Sequence, residues 1–303
     1  MIAAGIDLGG TKIEAQLFAP DWSVAHHRRI DTPRDYPGLV AAMAEQVAWA
    51  DEASGKTIPV GIAAAGLINP ETGHAYTANL PATGKPFPAD IAAAAGRPVT
   101  YVNDCRALAL SEATFGAGRG MSPVAGLILG TGIGGGVAVG GRLLAGHSLT
   151  GGEFGHFTLS AHLLEKHALP VHRCGCGRSG CTETYLSGPG LARLAGALTG
   201  RPLSSREIVE GRAGDPDLAR VWQVWCELAA EMIVTLVFTI DPEVIVLGGG
   251  LSQARGIADD LSAATQRAQL PGFRIPAIRV AQGGDASGAR GAAYAACQEA
   301  KNV

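Results

Sequence analysis

The 303-residue chain is long enough for one large domain or two domains of ordinary size with complete cores. Hydrophobic residues make up 47% of it and charged residues 17%, and its formal net charge of -3 argues against a nucleic-acid binder, which usually carries a basic face. No basic segment precedes an apolar one at the N-terminus, and the longest apolar run (residues 233–240) is far shorter than a membrane span, so we expect a cytoplasmic protein without membrane or nucleic-acid partners.

The first hundred-odd residues predict an α/β layer built on a buried sheet. Hydrophobic patterns predict strands over 2–8, 13–18 and about 24–30, a helix over 36–51, strands over 58–62 and 99–102, and a helix over 105–115 that ends at Gly116. Gly9 and Gly10 form the turn between the first two strands.

A second unit opens in the same style. An apolar strand over 124–129 leads into a glycine-rich loop over 130–136 and then a predicted hairpin that turns at Gly140 and Gly141. Helices near 215–239, a strand over 244–247, a glycine turn over 248–250 and a last helix near 289–300 follow. The repetition predicts two related halves around a cleft.

We place the domain border near residues 117–122. The smaller α/β domain is predicted to comprise residues 1–118, joined by the C-terminal helix 289–303. The larger α/β domain is predicted to comprise residues 119–288 and to carry a metal-binding loop over 156–181.

Two glycine loops are candidate phosphate sites, because clustered glycines let backbone N–H groups converge on an anion. The first is the Asp-Leu-Gly-Gly-Thr-Lys segment from Asp7 to Lys12, for which a plain hairpin turn is the alternative. The second, from Gly130 to Gly136, also satisfies the Gly-x-Gly-x-x-Gly spacing of dinucleotide sites. That fingerprint requires a helix directly after the loop, whereas a β-hairpin is predicted here.

Asn103-Asp104 falls where a strand ends and a helix begins. Asp is a preferred N-cap, so capping alone explains Asp104 without any chemistry. Strand ends beside a cleft are also where α/β enzymes place reactive groups, and phosphoryl transfer needs one carboxylate to orient and deprotonate the accepting hydroxyl. The same Asp104 carboxylate could serve both purposes.

A metal site is predicted from one histidine and three cysteines: His156, Cys174, Cys176 and Cys181. These residues form a complete tetrahedral ligand set for Zn²⁺, which leaves no open position for water and therefore predicts a structural ion. Three unrelated free thiols are the alternative. Other histidines of the same loop could replace His156, namely His162, His167 and His172.

Taken together, these segments resemble the ROK family (repressors, open reading frames and sugar kinases). The resemblance rests on both glycine loops, Asn103-Asp104, the Gly-Glu-Phe-Gly-His segment ending at His156, the cysteine cluster with Glu183, and the glycine turn 248–250. It implies an actin-like, duplicated ribonuclease-H-like fold with two α/β domains around a cleft that closes on substrate. The chain departs from the family at Cys105, where Ala is usual.

The resemblance also implies roles for individual residues. Asp104 would be the base that takes the proton of the sugar hydroxyl, and His156 would serve zinc and sugar through its two nitrogens. The remaining sugar contacts would be Gly66, Asn79, Asn103, Glu153 and Glu183. The ATP phosphates, bridged by Mg²⁺, would lie at Asp7, Gly9, Gly10, Thr11, Lys12, Gly130, Thr131, Gly132, Gly134, Gly248, Gly249 and Gly250.

The activity so implied is ATP-dependent phosphorylation of a hexose. The Tyr-Thr-Ala-Asn-Leu-Pro segment at residues 76–81 favours N-acetyl-D-glucosamine, phosphorylated at its C6 hydroxyl, whereas Thr32-Pro-Arg-Asp35 is shared with fructokinases and does not discriminate. Fructose, glucose or mannose remain alternatives. A sugar-sensing repressor is a further one, although such relatives carry a helix-turn-helix domain ahead of the first glycine loop. Relatives are commonly homodimers.

Overall fold

The computed structural model describes residues 1–301, and the contacts within it group the chain into two compact units. The first unit comprises Met1–Arg119, Gly136–Gly151 and the chain from Gln282 onward, and the second comprises Gly120–Gly135 and Gly152–Ala281. The segment 136–151, which we had placed in the larger domain, is therefore grouped with the first unit. The predicted domain border near residue 118 stays a prediction.

The helices and strands up to Phe115 are β1 (Ala3–Leu8), β2 (Lys12–Phe18), β3 (Val24–Asp31), α1 (Tyr36–Ser54), β4 (Val60–Ala64), β5 (Leu67–Ile68), β6 (Ala75–Tyr76), α2 (Phe87–Ala95), β7 (Thr100–Asn103) and α3 (Asp104–Phe115). Those that follow are β8 (Val124–Leu129), β9 (Ile133–Val139), β10 (Arg142–Leu143), α4 (Ala161–Lys166), α5 (Glu183–Leu186), α6 (Gly188–Thr199), α7 (Ser205–Gly211), α8 (Pro216–Ile240), β11 (Val244–Gly248), α9 (Ile257–Ala268), β12 (Ala277–Val280) and α10 (Ser287–Ala300).

Two five-stranded sheets have matching topology. The first runs β3-β2-β1-β4-β7, with β1 antiparallel to β2 and parallel to β4. The second runs β10-β9-β8-β11-β12, with β8 and β12 both parallel to β11. The predicted hairpin after the second glycine loop is confirmed, because β9 and β10 pair antiparallel. The parallel between the two sheets confirms that the chain contains two related halves.

Helix boundaries follow the capping chemistry of the sequence. The Asp35 side chain accepts a hydrogen bond from the Gly38 N–H (2.8 Å) and starts α1, and the Asp215 side chain accepts from the backbone N–H groups of Asp217 and Leu218 at the start of α8. Pro follows both caps within the first turn, where it needs no donor.

Two faces of the first sheet are buried by different helices. One face packs against α1 and α2 through a cluster of large side chains that includes Leu39 and Met43. On the other face α10 approaches so closely that a Cβ on Gly5 or Gly61 would lie 1.9 Å from a carbonyl oxygen of α10. Glycine at these two strand positions is thus a steric requirement of this face.

Among the residues that the structure describes, α8 alone is long and apolar enough by length and composition to cross a bilayer. Of its most apolar 18-residue window, 61% is buried inside the protein, where Trp225 is fully covered. Its sequence is that of a core helix.

Candidate active site and metal cluster

Asn103, and not Asp104, caps helix α3. The Asn103 side-chain oxygen accepts hydrogen bonds from the backbone N–H groups of Cys105 (3.0 Å) and Arg106 (3.2 Å). This corrects the capping interpretation of Asp104, because the strand continues one residue further than predicted and moves the cap to its last residue. Asp104 is the first residue inside the helix.

The Asp104 carboxylate is therefore available for chemistry. It is half-buried, and its Oδ1 accepts one hydrogen bond from the Cys105 N–H (2.9 Å). Burial raises the pKa of Asp104 above its ordinary value of 3.8, although the Cys105 hydrogen bond opposes the shift. A carboxylate with a raised pKa is a stronger proton acceptor than an ordinary one.

Two predicted sugar contacts meet beside this base. The Asn103 side-chain nitrogen donates to the Gly66 carbonyl (3.1 Å), so β7 is tied to the turn that follows β4. Asn79, a third predicted contact, lies instead against the first glycine loop, where a Cβ on Gly10 would come within 3.3 Å of the Asn79 Cβ.

The first glycine loop is held in shape by its own backbone and by one threonine. The Gly9 N–H donates to the Lys12 carbonyl (2.9 Å). The Thr32 hydroxyl donates to the Gly9 carbonyl (2.8 Å), and the Thr32 N–H donates to the Thr11 carbonyl (3.1 Å). These bonds engage three loop carbonyls, which would otherwise repel an anion. Thr32 is not among the predicted site residues, although it begins the Thr32-Pro-Arg-Asp35 segment that is shared with fructokinases.

The second glycine loop is fixed in the same manner inside the second unit. The Gly130 N–H donates to the Gly132 carbonyl (3.0 Å), and the Gly188 N–H at the start of α6 donates to the Gly130 carbonyl (2.8 Å). The turn 248–250 lies beside it, since a Cβ on Gly249 would come within 2.5 Å of the Leu129 carbonyl oxygen. Gly134, predicted in the loop, lies within β9.

A cavity of about 1210 Å³ adjoins this loop. Gly130, Thr131 and Gly250 line it from the predicted loops, and α6, α7 and residues 250–255 form the rest. The volume exceeds that of common small-molecule pockets, so an adenosine group fits. Sequence reasoning missed its walls, which include Pro189, Ala192, Ser205, Val209, Arg212 and Gln253. These residues carry no motif, and only the fold brings them together.

The predicted metal ligands converge in the second unit. The Nδ1 or Nε2 atom of His156 and the sulfurs of Cys174, Cys176 and Cys181 all lie within 4.8 Å of one another, and the three cysteines are unpaired. Cys174 Sγ is 3.7 Å from His156 Nδ1, and Cys176 Sγ is 3.7 Å from Cys181 Sγ. Zn–S bonds of about 2.3 Å in a tetrahedron separate two sulfurs by about 3.8 Å, so the donor set fits zinc.

Two of the three alternative histidines of the loop, His167 and His172, have other partners. His167 Nε2 lies 2.8 Å from a Glu227 carboxylate oxygen, and the His172 ring packs on Tyr185 with centroids 5.2 Å apart. His156 is therefore the histidine of the cluster.

The electrostatics of the cluster also favour a cation. Burial raises the pKa of the Cys174 thiol to about 12 and raises that of Cys181, while the Arg178 backbone N–H lowers the pKa of Cys176. Adjacent buried thiolates need a compensating positive charge. A bound metal ion supplies that charge and displaces the thiol protons.

Two acidic residues flank the cluster as predicted. Glu183 accepts from the Cys174 thiol (3.0 Å) through one oxygen and from the Ile133 N–H (3.4 Å) of the second glycine loop through the other. Glu153 lies on the opposite side of the imidazole, 3.6 Å from His156 Nε2. His156 thus directs Nδ1 to the cluster and Nε2 away from it.

The predicted site residues form one group in each unit. The first unit holds the base, the first glycine loop, Gly66, Asn79 and Asn103. The second unit holds the second glycine loop, the turn 248–250, Glu153, Glu183 and the metal cluster.

Comparison with known proteins gives consistent matches. The family model described as "ROK family" matches residues 3–299. The chain is 40% identical to the N-acetylgalactosamine kinase of Shewanella sp. (strain ANA-3), covering 95% of this chain and 94% of that one. It is also 40% identical to the N-acetyl-D-glucosamine kinase of Escherichia coli K12, covering 96% and 97%. The solved ROK hexokinase of Thermus thermophilus is 35% identical over the full length of both chains, with a TM-score of 0.88, which confirms the predicted fold class.

Proposed function

The chain belongs to the ROK family and is an ATP-dependent sugar kinase, and we propose that it phosphorylates the C6 hydroxyl of N-acetyl-D-glucosamine. The observation that carries this proposal is the state of Asp104. Its half-buried carboxylate lies at a helix N-terminus, is relieved of capping by Asn103, and has a raised pKa. Those are the properties of a general base for a sugar hydroxyl.

Asp104 would accept the proton of the hydroxyl as its oxygen attacks the terminal phosphorus of ATP. The bond to ADP breaks as the new oxygen–phosphorus bond forms. Gly66 and Asn103, joined by their hydrogen bond, would orient the sugar beside the base. In the second unit, we propose Glu153, Glu183 and His156 Nε2 as the polar groups for other hydroxyls of the sugar.

The two glycine loops would hold the phosphates of ATP. Loop carbonyls are engaged by internal hydrogen bonds, as the Gly9 carbonyl is by Thr32, and the loop N–H groups that take no part in these bonds would be the donors to the anion. The large cavity beside Gly130 and Gly250 would hold the adenosine group. Mg²⁺, when bound to the phosphates, would neutralise part of their charge, and Asp7 in the first loop is a candidate for holding it.

Zinc in the Cys₃His cluster would be structural. With all four positions taken by protein ligands, it would fix the position of His156 without taking part in the reaction. We also propose that the protein is cytoplasmic and forms a homodimer. Light scattering of the purified protein would test the oligomeric state.

Two relatives with equal identity act on sugars that both carry an N-acetyl group and differ at C4. N-acetylgalactosamine is therefore the second candidate substrate. The sequence match at residues 76–81 favours the gluco configuration.

The test is ADP release with ATP and Mg²⁺ over N-acetylglucosamine, N-acetylgalactosamine, N-acetylmannosamine, glucose, mannose and fructose. Highest kcat/KM with N-acetylglucosamine and phosphate on C6 by NMR support the proposal. A preference for another sugar refutes the substrate, and sugar binding without ADP release refutes catalysis in favour of a sensor.

A further inference from the structure

Glu112 is a fully buried carboxylate near the end of helix α3, with 0% of its surface exposed. One oxygen accepts hydrogen bonds from the Ala117 N–H (2.9 Å) and the Gln282 N–H (3.0 Å). The other accepts from the Gly283 N–H (2.8 Å) and the Ser287 hydroxyl (2.7 Å). Four donors, three of them backbone N–H groups, therefore compensate a charge that would be costly to bury alone.

The four donors belong to two segments of the chain, one at Ala117 and one from Gln282 to Ser287. Both segments adjoin a point where the chain crosses between the two units. The chain crosses between the two units four times; it first leaves the first unit after Arg119 and makes its final return to that unit at Gln282. Ala117 lies two residues before the exit, and Gln282 is the first residue after the return. A single side chain thus holds the exit segment and the return segment to the same helix.

The surrounding residues are shaped to this carboxylate. A Cβ on Gly116 would lie 2.0 Å from a Glu112 carboxylate oxygen, and a Cβ on Gly283 would lie 2.8 Å from the other. A side chain at Gly116 or Gly283 would therefore crowd the carboxylate where it reaches its donors.

Helix α3 connects this anchor to the catalytic base. Asp104 is the first residue of α3 and Glu112 lies eight residues later, about 12 Å along the axis at 1.5 Å per residue. We therefore expect a displacement at the anchor to be transmitted along α3 toward the base.

We propose that Glu112 is a positioning residue for phosphoryl transfer, which fixes the first and the last of the four inter-unit segments to the helix that carries Asp104 and so acts as a hinge anchor when substrates bind. This inference rests on the proposed kinase function only where it is tested by kcat, KM and the ATP hydrolysed per sugar phosphorylated. Hinges of closing enzymes are a few element-terminal residues far from the chemistry, and changing them alters turnover.

The test compares Glu112→Gln, Ser287→Ala and the control Ser111→Ala. Glutamine keeps the shape of Glu112 but presents an NH₂ group to donors and removes the charge, and Ser287→Ala removes one of four donors. Ser111 is buried in the same helix and its hydroxyl has no partner in the described structure, so Ser111→Ala reports on burial alone.

Each folded variant, checked by its melting curve, is assayed for kcat, both KM values, and ATP hydrolysed per sugar phosphorylated. Small-angle scattering with and without sugar and a non-hydrolysable ATP analogue measures compaction. We expect Glu112→Gln to bind both substrates normally, to lose kcat about tenfold or more, to waste ATP on water, and to lose compaction. Ser287→Ala should show smaller changes in the same direction, and Ser111→Ala none.

Wild-type kcat, coupling and compaction in folded Glu112→Gln would overturn the proposal. If that variant does not fold, unchanged behaviour of Ser287→Ala would overturn it. If the wild-type protein phosphorylates no sugar, the kinase proposal fails, while loss of compaction on analogue binding in the variants still supports the hinge anchor and its retention still refutes it.

Discussion

The Asn103 side-chain oxygen accepts hydrogen bonds from the Cys105 and Arg106 N–H groups that open helix α3, and the neighbouring Asp104 carboxylate shares the Cys105 N–H through its Oδ1. If Asp104 is the base, Asp104→Asn should lower kcat on the order of a thousandfold, since an amide cannot accept the hydroxyl proton. Sugar affinity, measured by calorimetry, should change little. Asp21→Asn is the control, because Asp21 is exposed and its carboxylate accepts hydrogen bonds from Ser23 in its own turn. An Asp104→Asn enzyme with near-normal turnover would refute the assignment.

The raised pKa of Asp104 predicts the acid side of the pH profile. The carboxylate is the active form, so activity is lost as pH falls through its pKa. Because burial raises this pKa above 3.8, kcat/KM should begin to fall at a higher pH than an ordinary aspartate would give. Initial rates between pH 4 and 8, with the stability of the protein checked at each pH, measure the fall of kcat/KM on the acid side. A flat profile down to pH 4 would contradict the prediction.

The raised pKa of Asp104 also predicts that its carboxylate lowers the stability of the fold while it supports activity. A carboxyl whose pKa is higher in the folded than in the unfolded state destabilises the fold progressively as pH rises through that interval. At pH 7 the Asp104→Asn protein should therefore melt at a higher temperature than the wild type, and the difference should shrink in acid. Calorimetric melting at pH 5 and 7 tests this. A lower melting temperature for the variant at pH 7 would show that the carboxylate is stabilised by its surroundings.

Much of the site could be predicted because its parts are short motifs. Both glycine loops, Asn103-Asp104 and the Cys₃His cluster each occupy a few consecutive or nearby residues, and strand patterns placed them at sheet ends. What could not be predicted depends on distant pairings. The walls of the nucleotide cavity come from α6 and α7, and Glu112 meets donors 170 and more residues away. The capping of α3 was misassigned because a one-residue extension of β7 moves the cap.

Metal removal should destabilise the second unit. We expect about one zinc ion per chain by mass spectrometry and near-complete loss in Cys176→Ser, because a serine hydroxyl is a poor zinc ligand. The melting temperature should fall, and KM for the sugar should rise as His156 loses its fixed position. Cys297→Ser, a half-buried thiol of the first unit, is the control. Full zinc content in Cys176→Ser would refute the ligand set.

Thr32 provides the last prediction, which concerns ATP alone. Its hydroxyl holds the Gly9 carbonyl, so Thr32→Val removes one hydrogen bond while keeping the shape of the side chain. The loop carbonyl is then free to turn toward the phosphates, and KM for ATP should rise about three- to tenfold, the equivalent of one hydrogen bond. KM for the sugar should stay unchanged, and Thr32→Ser should restore the wild-type value. Thr265→Val is the matched control, since that buried hydroxyl has no partner in the described structure. Equal rises in both KM values would show that Thr32 supports the fold in general and not the phosphate loop.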